Sequence, residues 1–261
     1  MKYPFLILLL LMSYPLMAQP RYDLKSLQRE QLGRGVVVCR TAEGDSVSVS
    51  WRYLEEDDIS TGFNVYRDGK KINKTPVTAS SYLKLPYEGG ATYEVRTVDK
   101  NKESHRKDGR FVLKDDAPKG YLSVPLEIPE GGATPDGRRY NYSANDASVG
   151  DVDGDGEYEI ILKWDPSNSR DNAHDGYTGN VLFDCYRLDG TRLWRIDLGQ
   201  NIRAGAHYTQ FMVYDLDGDG KAEVVMKTSD AFYLAVQRQR HPSGTEELGS
   251  HCRPPLLRDY V

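Results

Sequence analysis

The nonapeptide Asp151-Val152-Asp153-Gly154-Asp155-Gly156-Glu157-Tyr158-Glu159 returns 64 residues later as Asp215-Leu216-Asp217-Gly218-Asp219-Gly220-Lys221-Ala222-Glu223. Carboxylates at loop positions 1, 3, 5 and 9 can converge on one hard cation, and the glycines between them permit the sharp backbone turn this needs. Calcium is the natural guest, and the predicted ligands are Asp151, Asp153, Asp155, Glu159, Asp215, Asp217, Asp219 and Glu223. An EF-hand would need a bidentate Glu at position 12, where Leu162 and Met226 stand, so a helix-loop-helix unit is excluded. Each copy runs instead into an apolar, β-branched stretch, residues 157–164 and 222–228, which reads as a strand. Loop plus strand, twice, is an internal repeat, and several short strands per unit point to a propeller-like array. A pair of ordinary surface turns would not require the same four acids in the same register twice.

The 261 residues suffice for two domains, and a hydrophobic fraction of 39% predicts a polar-surfaced globular chain. A net charge of -5, with no basic helix, argues against a nucleic-acid partner. Residues 1–18 read as a secretory signal, with Lys2 at the start, an apolar core over 5–12 and Met17-Ala18 before the expected cleavage. That apolar run is too short to span a bilayer, so a secreted or periplasmic protein without a membrane span is expected. Cys39, Cys185 and Cys252 lie too far apart to form a disulfide framework.

Period-two alternation in Val47-Ser48-Val49-Ser50-Trp51 and over 91–98, with the hairpin turn Asp68-Gly69, predicts an all-β sandwich over 32–113 that resembles a fibronectin type III module. Residues 114–145 are richer in Pro and Gly and read as a linker packed over a surface. Residues 146–230 then carry both acidic loops as a partial β-propeller. Within it, Asp165 to Asn180 forms a long polar insertion containing Asn168, Asp171, Asn172, His174 and Asp175. An insertion of that length and polarity fits a functional loop.

The runs Tyr142-Ser143-Ala144-Asn145-Asp146-Ala147-Ser148-Val149-Gly150 and Lys163-Trp164-Asp165-Pro166-Ser167-Asn168-Ser169 resemble the rhamnogalacturonan lyase family of secreted bacterial pectin-degrading enzymes. Leu193-Trp194-Arg195-Ile196-Asp197-Leu198-Gly199 and Arg203-Ala204-Gly205-Ala206-His207-Tyr208-Thr209-Gln210-Phe211-Met212 extend the likeness. The resemblance implies a calcium-dependent eight-bladed propeller behind a fibronectin-like sandwich, cutting the rhamnose–galacturonate bond of a pectic polysaccharide, rhamnogalacturonan I. It also places Asn145 and Asp146 near the cleft as substrate contacts. Lys163, in the same register as Lys227 after the other loop, is the expected cationic contact for an anionic chain.

β-Elimination explains why such a site would gather acids and a cation. A base removes the C5 proton of the uronate and the charge spreads into the neighbouring carboxylate, which is already anionic and must first be neutralised. A bound cation supplies that neutralisation.

The resemblance implies further blades after Asp230, and with them the catalytic base, so no catalytic residue is assigned within this chain. Residues 231–261 instead hold two of the five His and four Arg with no Lys. That change of composition is expected of a shifted reading frame or a truncated form. The other reading the acidic loops allow is a non-catalytic calcium-binding propeller or carbohydrate-binding module.

Overall fold

The computed structural model describes residues 30–104, 108–171, 173–205, 208–229 and 233–236. The expected signal segment, His207 and most of the segment 231–261 lie outside the described residues. Among the described residues the regular structure is entirely β.

The first part contains β1 (Val37–Arg40), β2 (Ser46–Ser50), β3 (Gly62–Arg67), β4 (Lys70–Lys71), β5 (Val77–Thr78), β6 (Tyr82–Pro86), β7 (Ala91–Asp99), β8 (Lys102–Glu103) and β9 (Gly109–Leu113). One antiparallel sheet has the order β1-β2-β6, and a second has the order β4-β3-β7-β8, with β5 also on β3 and β9 on β7. The alternation in β2 is the reason this works: Val47 and Val49 are buried while Ser46, Ser48 and Ser50 are partly exposed. Tyr93 and Val95 of β7 turn inward in the same way. Val38, Val47, Val49 and Trp51 from one sheet meet Phe63, Val65, Tyr93 and Val95 from the other in one core. The Asp68-Gly69 hairpin turn has positive φ at both residues, 47° and 75°, as a tight turn between twisted strands requires.

At one end of this core Arg34 and Asp57 form an ion pair, both side chains fully buried. The guanidinium is further satisfied by Thr97 Oγ1 at 2.8 Å and lies 4.9 Å from the Phe63 ring centre. Its stem thereby ties the entry segment to the sheets.

The second part contains β10 (Gly132–Ala133), β11 (Arg139–Tyr140), β12 (Tyr142–Gly150), β13 (Glu159–Pro166), β14 (Leu182–Tyr186), β15 (Arg192–Asp197), β16 (Phe211–Tyr214), β17 (Glu223–Met226) and β18 (Tyr233–Val236). β12-β13-β14-β15-β18 form one antiparallel sheet, while β16 and β17 form a ribbon. Every residue of β14 is buried, because its sheet is covered on both faces. On one face Ile161, Phe183, Cys185 and Trp194 pack with Phe211, Val213, Val224 and Met226 of the ribbon. On the other face Leu162, Trp164, Leu182 and Tyr186 form a smaller cluster with Tyr142.

The Pro- and Gly-rich stretch over 118–130 is bound to this sheet. Glu127 N donates to Tyr186 Oη at 3.1 Å, and the Glu127 carbonyl accepts from Arg195 at 2.8 Å. Beneath it, the buried carboxylate of Asp184 accepts from Trp164 Nε1 at 2.7 Å, from Tyr186 Oη at 2.6 Å and from Arg195. Strand β12 begins at Tyr142, so the sheet reaches a few residues into the stretch whose composition reads as linker.

Candidate metal centre

The two acidic loops close in the same way, each through its own carboxylates. In the first, Asp151 Oδ1 accepts from Gly154 N at 2.7 Å and Oδ2 from Gly156 N at 2.9 Å. In the second, Asp215 Oδ1 accepts from Gly218 N at 2.8 Å and Oδ2 from Gly220 N at 3.1 Å. The third-position acids, Asp153 and Asp217, accept from the amides of Asp155 and Asp219. The ninth-position acids reach back to the second residue, Glu159 to Val152 N at 3.1 Å and Glu223 to Leu216 N at 2.7 Å. Gly154, Gly156, Gly218 and Gly220 have φ values of 79°, 91°, 73° and 95°, so the turn depends on residues free to adopt the left-handed region.

These bonds draw three carboxylates together in each loop. One oxygen from each of Asp151, Asp153 and Glu159 lies within 4.8 Å of the others, and Asp215, Asp217 and Glu223 form a matching group. The fifth-position acids Asp155 and Asp219 stand outside these groups; their Oδ1 atoms instead accept from Glu157 N at 2.8 Å and Lys221 N at 2.9 Å. Three of the four ligands predicted per loop are therefore gathered. A set of hard oxygen donors on a turned backbone fits a cation such as calcium in donor type and arrangement.

The loops differ in their surroundings. Asp151 and Glu159 are buried, whereas Asp217 is exposed and Asp215 and Glu223 are partly so. Burial, with Asp153 close by, pushes the Glu159 carboxyl up to about 8. Burial also raises Asp151 and Glu223 above the usual carboxylate range. Charge concentrated in this way, with little water to disperse it, is the environment a bound cation relieves.

The first loop also has neighbours that its own sequence does not announce. Arg187 donates to Asp153 Oδ2 at 2.6 Å and lies 3.7 Å from Asp155. Lys221, the seventh residue of the second loop, donates to the Asp153 carbonyl at 3.1 Å, and Ala222 N to the Asp151 carbonyl at 2.8 Å. From the entry segment ahead of β1, Gly33 N donates to the Gly156 carbonyl at 2.6 Å and Gly35 N to Glu157 at 3.2 Å. Arg52 lies over the Tyr158 ring at 4.5 Å. A Cβ on Gly156 would stand 3.0 Å from the Gln31 carbonyl, which shows how closely the entry segment approaches the loop. Arg187 was not among the sequence candidates. A strand pairing that sets Tyr186 opposite Ile160 puts the next residue beside the loop, and that register was the available signal.

The three predicted substrate contacts come together at the β12–β13 pair but take different places. Asn145 and Asp146 are exposed, while Lys163 is 1% exposed and its ammonium pairs with Asp146. The cation expected to face an anionic chain is thus held beneath the surface by a neighbouring carboxylate. Lys227, its counterpart after the second loop, donates to Tyr208 Oη at 2.8 Å.

The polar insertion after β13 is held by its backbone. Arg203 donates to the carbonyls of His174 and Gly176, the latter at 2.7 Å, and Asn168 Oδ1 accepts from Gly179 N at 2.8 Å. Asn172 lies outside the described residues.

Fold and site together define an all-β protein with repeated carboxylate loops suited to hard cations. Comparison with known proteins carries this further. Residues 27–112 match the β-sheet domain of rhamnogalacturonan I lyases, and residues 121–237 match the C-terminal domain of rhamnogalacturonan lyase family 11. The chain belongs to the rhamnogalacturonan lyase family.

Among its relatives from Bacillus subtilis (strain 168), it is 58% identical over 207 residues to the rhamnogalacturonan exolyase YesX, covering 79% of this chain and 33% of that protein. It is 60% identical over 203 residues to the rhamnogalacturonan endolyase YesW, covering 78% of this chain and 32% of that protein. The crystal structure of YesW aligns with a TM-score of 0.67 at 53% identity, over 87% of this chain and 36% of the other. A Bacillus licheniformis rhamnogalacturonan lyase aligns with a TM-score of 0.70 at 53% identity, over 84% and 38%. The chain spans about a third of the length of the curated relatives it matches.

Proposed function

We propose that this chain is the leading part of a secreted rhamnogalacturonan lyase, acting on the rhamnose–galacturonate backbone of rhamnogalacturonan I by calcium-assisted β-elimination. The observation that carries the reading is the pair of acidic loops with one hydrogen-bond pattern, in a chain 58% and 60% identical to an exolyase and an endolyase of this polysaccharide. In this reading the two facing sheets over 32–113 are a fibronectin type III-like unit. The sheet β12–β15 and the β16–β17 ribbon belong to the first blades of a propeller, and residues 1–18 direct export.

Calcium would be held by Asp151, Asp153 and Glu159 and by Asp215, Asp217 and Glu223. When bound, it supplies positive charge that neutralises carboxylates. The chain's own contribution is positional. Asp151 and Asp215 hold the loop amides in place before any cation arrives, so little reorganisation accompanies binding. Asn145 and Asp146, exposed where β12 bulges, offer an amide and a carboxylate to sugar hydroxyls.

The test is incubation with rhamnogalacturonan in calcium and then in chelator, following the ultraviolet absorbance of the C4–C5 unsaturated uronate. A calcium-dependent rise is the expected result for the lyase that carries the further blades with the catalytic base. No rise in either condition, together with calcium-dependent retention of the polysaccharide, removes the enzymatic claim for this chain and leaves a binding module.

A further inference from the structure

In β12 the ladder with β13 runs Ala144 opposite Trp164 and resumes with Ala147 opposite Leu162. Asn145 and Asp146 therefore both stand across from the single residue Lys163, which is a β-bulge. A bulge leaves an extra residue outside the ladder and re-aims its side chain, at the cost of local pairing. Something other than the ladder must hold the bulged pair in one arrangement.

The structure supplies one such group. Lys163 is 1% exposed in its side chain, and its ammonium is ion-paired with Asp146, whose side chain is 59% exposed. Its neighbours along β13, Leu162 and Trp164, are packed into the apolar cluster on the opposite face of the sheet, so the strand that carries Lys163 is firmly seated. An ammonium taken out of water needs its carboxylate, because an unpartnered buried charge is strongly unfavourable. That need restrains Asp146, and through the backbone Asn145, from the interior side.

We propose that Lys163 is a positioning residue: it does not touch the polysaccharide but holds the Asn145–Asp146 bulge in the arrangement that presents both side chains outward. The proposal rests on the assignment of Asn145 and Asp146 as polysaccharide contacts under Proposed function. It replaces direct contact by Lys163 with an indirect role, which its burial requires.

The test uses the full chain with calcium present and compares Lys163→Met, Lys163→Arg, Asp146→Asn and the double variant Lys163→Met/Asp146→Asn. Amide hydrogen exchange over 143–148 reads the bulge without ligand. Titration with a rhamnogalacturonan oligosaccharide, at a temperature where circular dichroism shows every variant folded, reads presentation. The expected result is faster exchange and on the order of ten-fold weaker binding in Lys163→Met, non-additivity with Asp146→Asn, and recovery in Lys163→Arg.

Unchanged exchange in Lys163→Met, or binding equal to that of the unaltered chain, overturns the proposal. Additive effects of the two substitutions overturn it too, since they make Lys163 and Asp146 independent. Failure of the unaltered chain to bind the oligosaccharide overturns the functional assignment instead, and faster exchange in Lys163→Met then supports the hold on the bulge alone.

Discussion

At the scale of single residues, the acids of each loop divide into two kinds by what they touch. Asp151 is fully buried and accepts from the amides of Gly154, Asp155 and Gly156, whereas Asp155 accepts from the single amide of Glu157. Replacing Asp151 by Ala leaves the buried amide of Gly156 and the part-buried amides of Gly154 and Asp155 without their acceptor and is expected to lower unfolding free energy by about 2–4 kcal/mol. Asp155→Ala removes a more exposed acceptor and should cost about 1 kcal/mol or less. Denaturant melts in chelator compare the two without any contribution from metal, and equal losses would show that the loop is not organised by its first residue. The identity of the four acids was legible in the sequence because their spacing is local. Their division into three gathered carboxylates and one outlying was not, because it depends on which oxygens the loop amides occupy.

At the scale of elements, the strands were legible where alternation or a continuous apolar run recorded their environment. β2 alternates because one face meets a core, and β14 is apolar at every position but Asp184 because its sheet is covered on both sides. What the strands carry between them was less visible. Asp184 is buried in the middle of β14 and receives Trp164, Tyr186 and Arg195. Nothing in its own neighbourhood of sequence marks it as different from a solvated acid. Asp184→Ala leaves the Arg195 guanidinium without its carboxylate and two further donors unpaired, an expected loss of about 3–5 kcal/mol. Because Arg195 and Tyr186 also hold Glu127, amide exchange around Glu127 should accelerate in the same variant. A stability loss without that acceleration would separate the network from the packing of the 118–130 stretch.

At the scale of the whole molecule, the first acidic loop is a meeting point. Gly33 and Gly35 reach it from the segment ahead of β1 and Arg52 from just after β2, while Lys221 and Ala222 reach it from the second loop. A ligand that binds only the folded loops stabilises the chain by mass action, about 2.7 kcal/mol per site at a hundred times its dissociation constant. Added calcium is therefore expected to raise the melting temperature of the full chain, and chelator to reverse the rise. The Asp151→Ala and Asp215→Ala variants should each lose part of the response. A melting temperature indifferent to calcium at every concentration would remove the cation from the account of these loops.

By itself, the sequence determined the acidic turns, the strands that follow them and the hairpin at Asp68-Gly69, since each rests on contacts within a few residues of chain. Only the tertiary structure decided that Lys163 would be paired beneath Asp146, that Arg187 would neutralise Asp153, and that Glu157 would accept a bond from Gly35 across 122 positions of sequence. The physical reason lies in the range of the interactions. Turn geometry and alternation are imposed by neighbouring backbone, whereas the partner of a charge is chosen by whichever distant strand the packed core brings within reach.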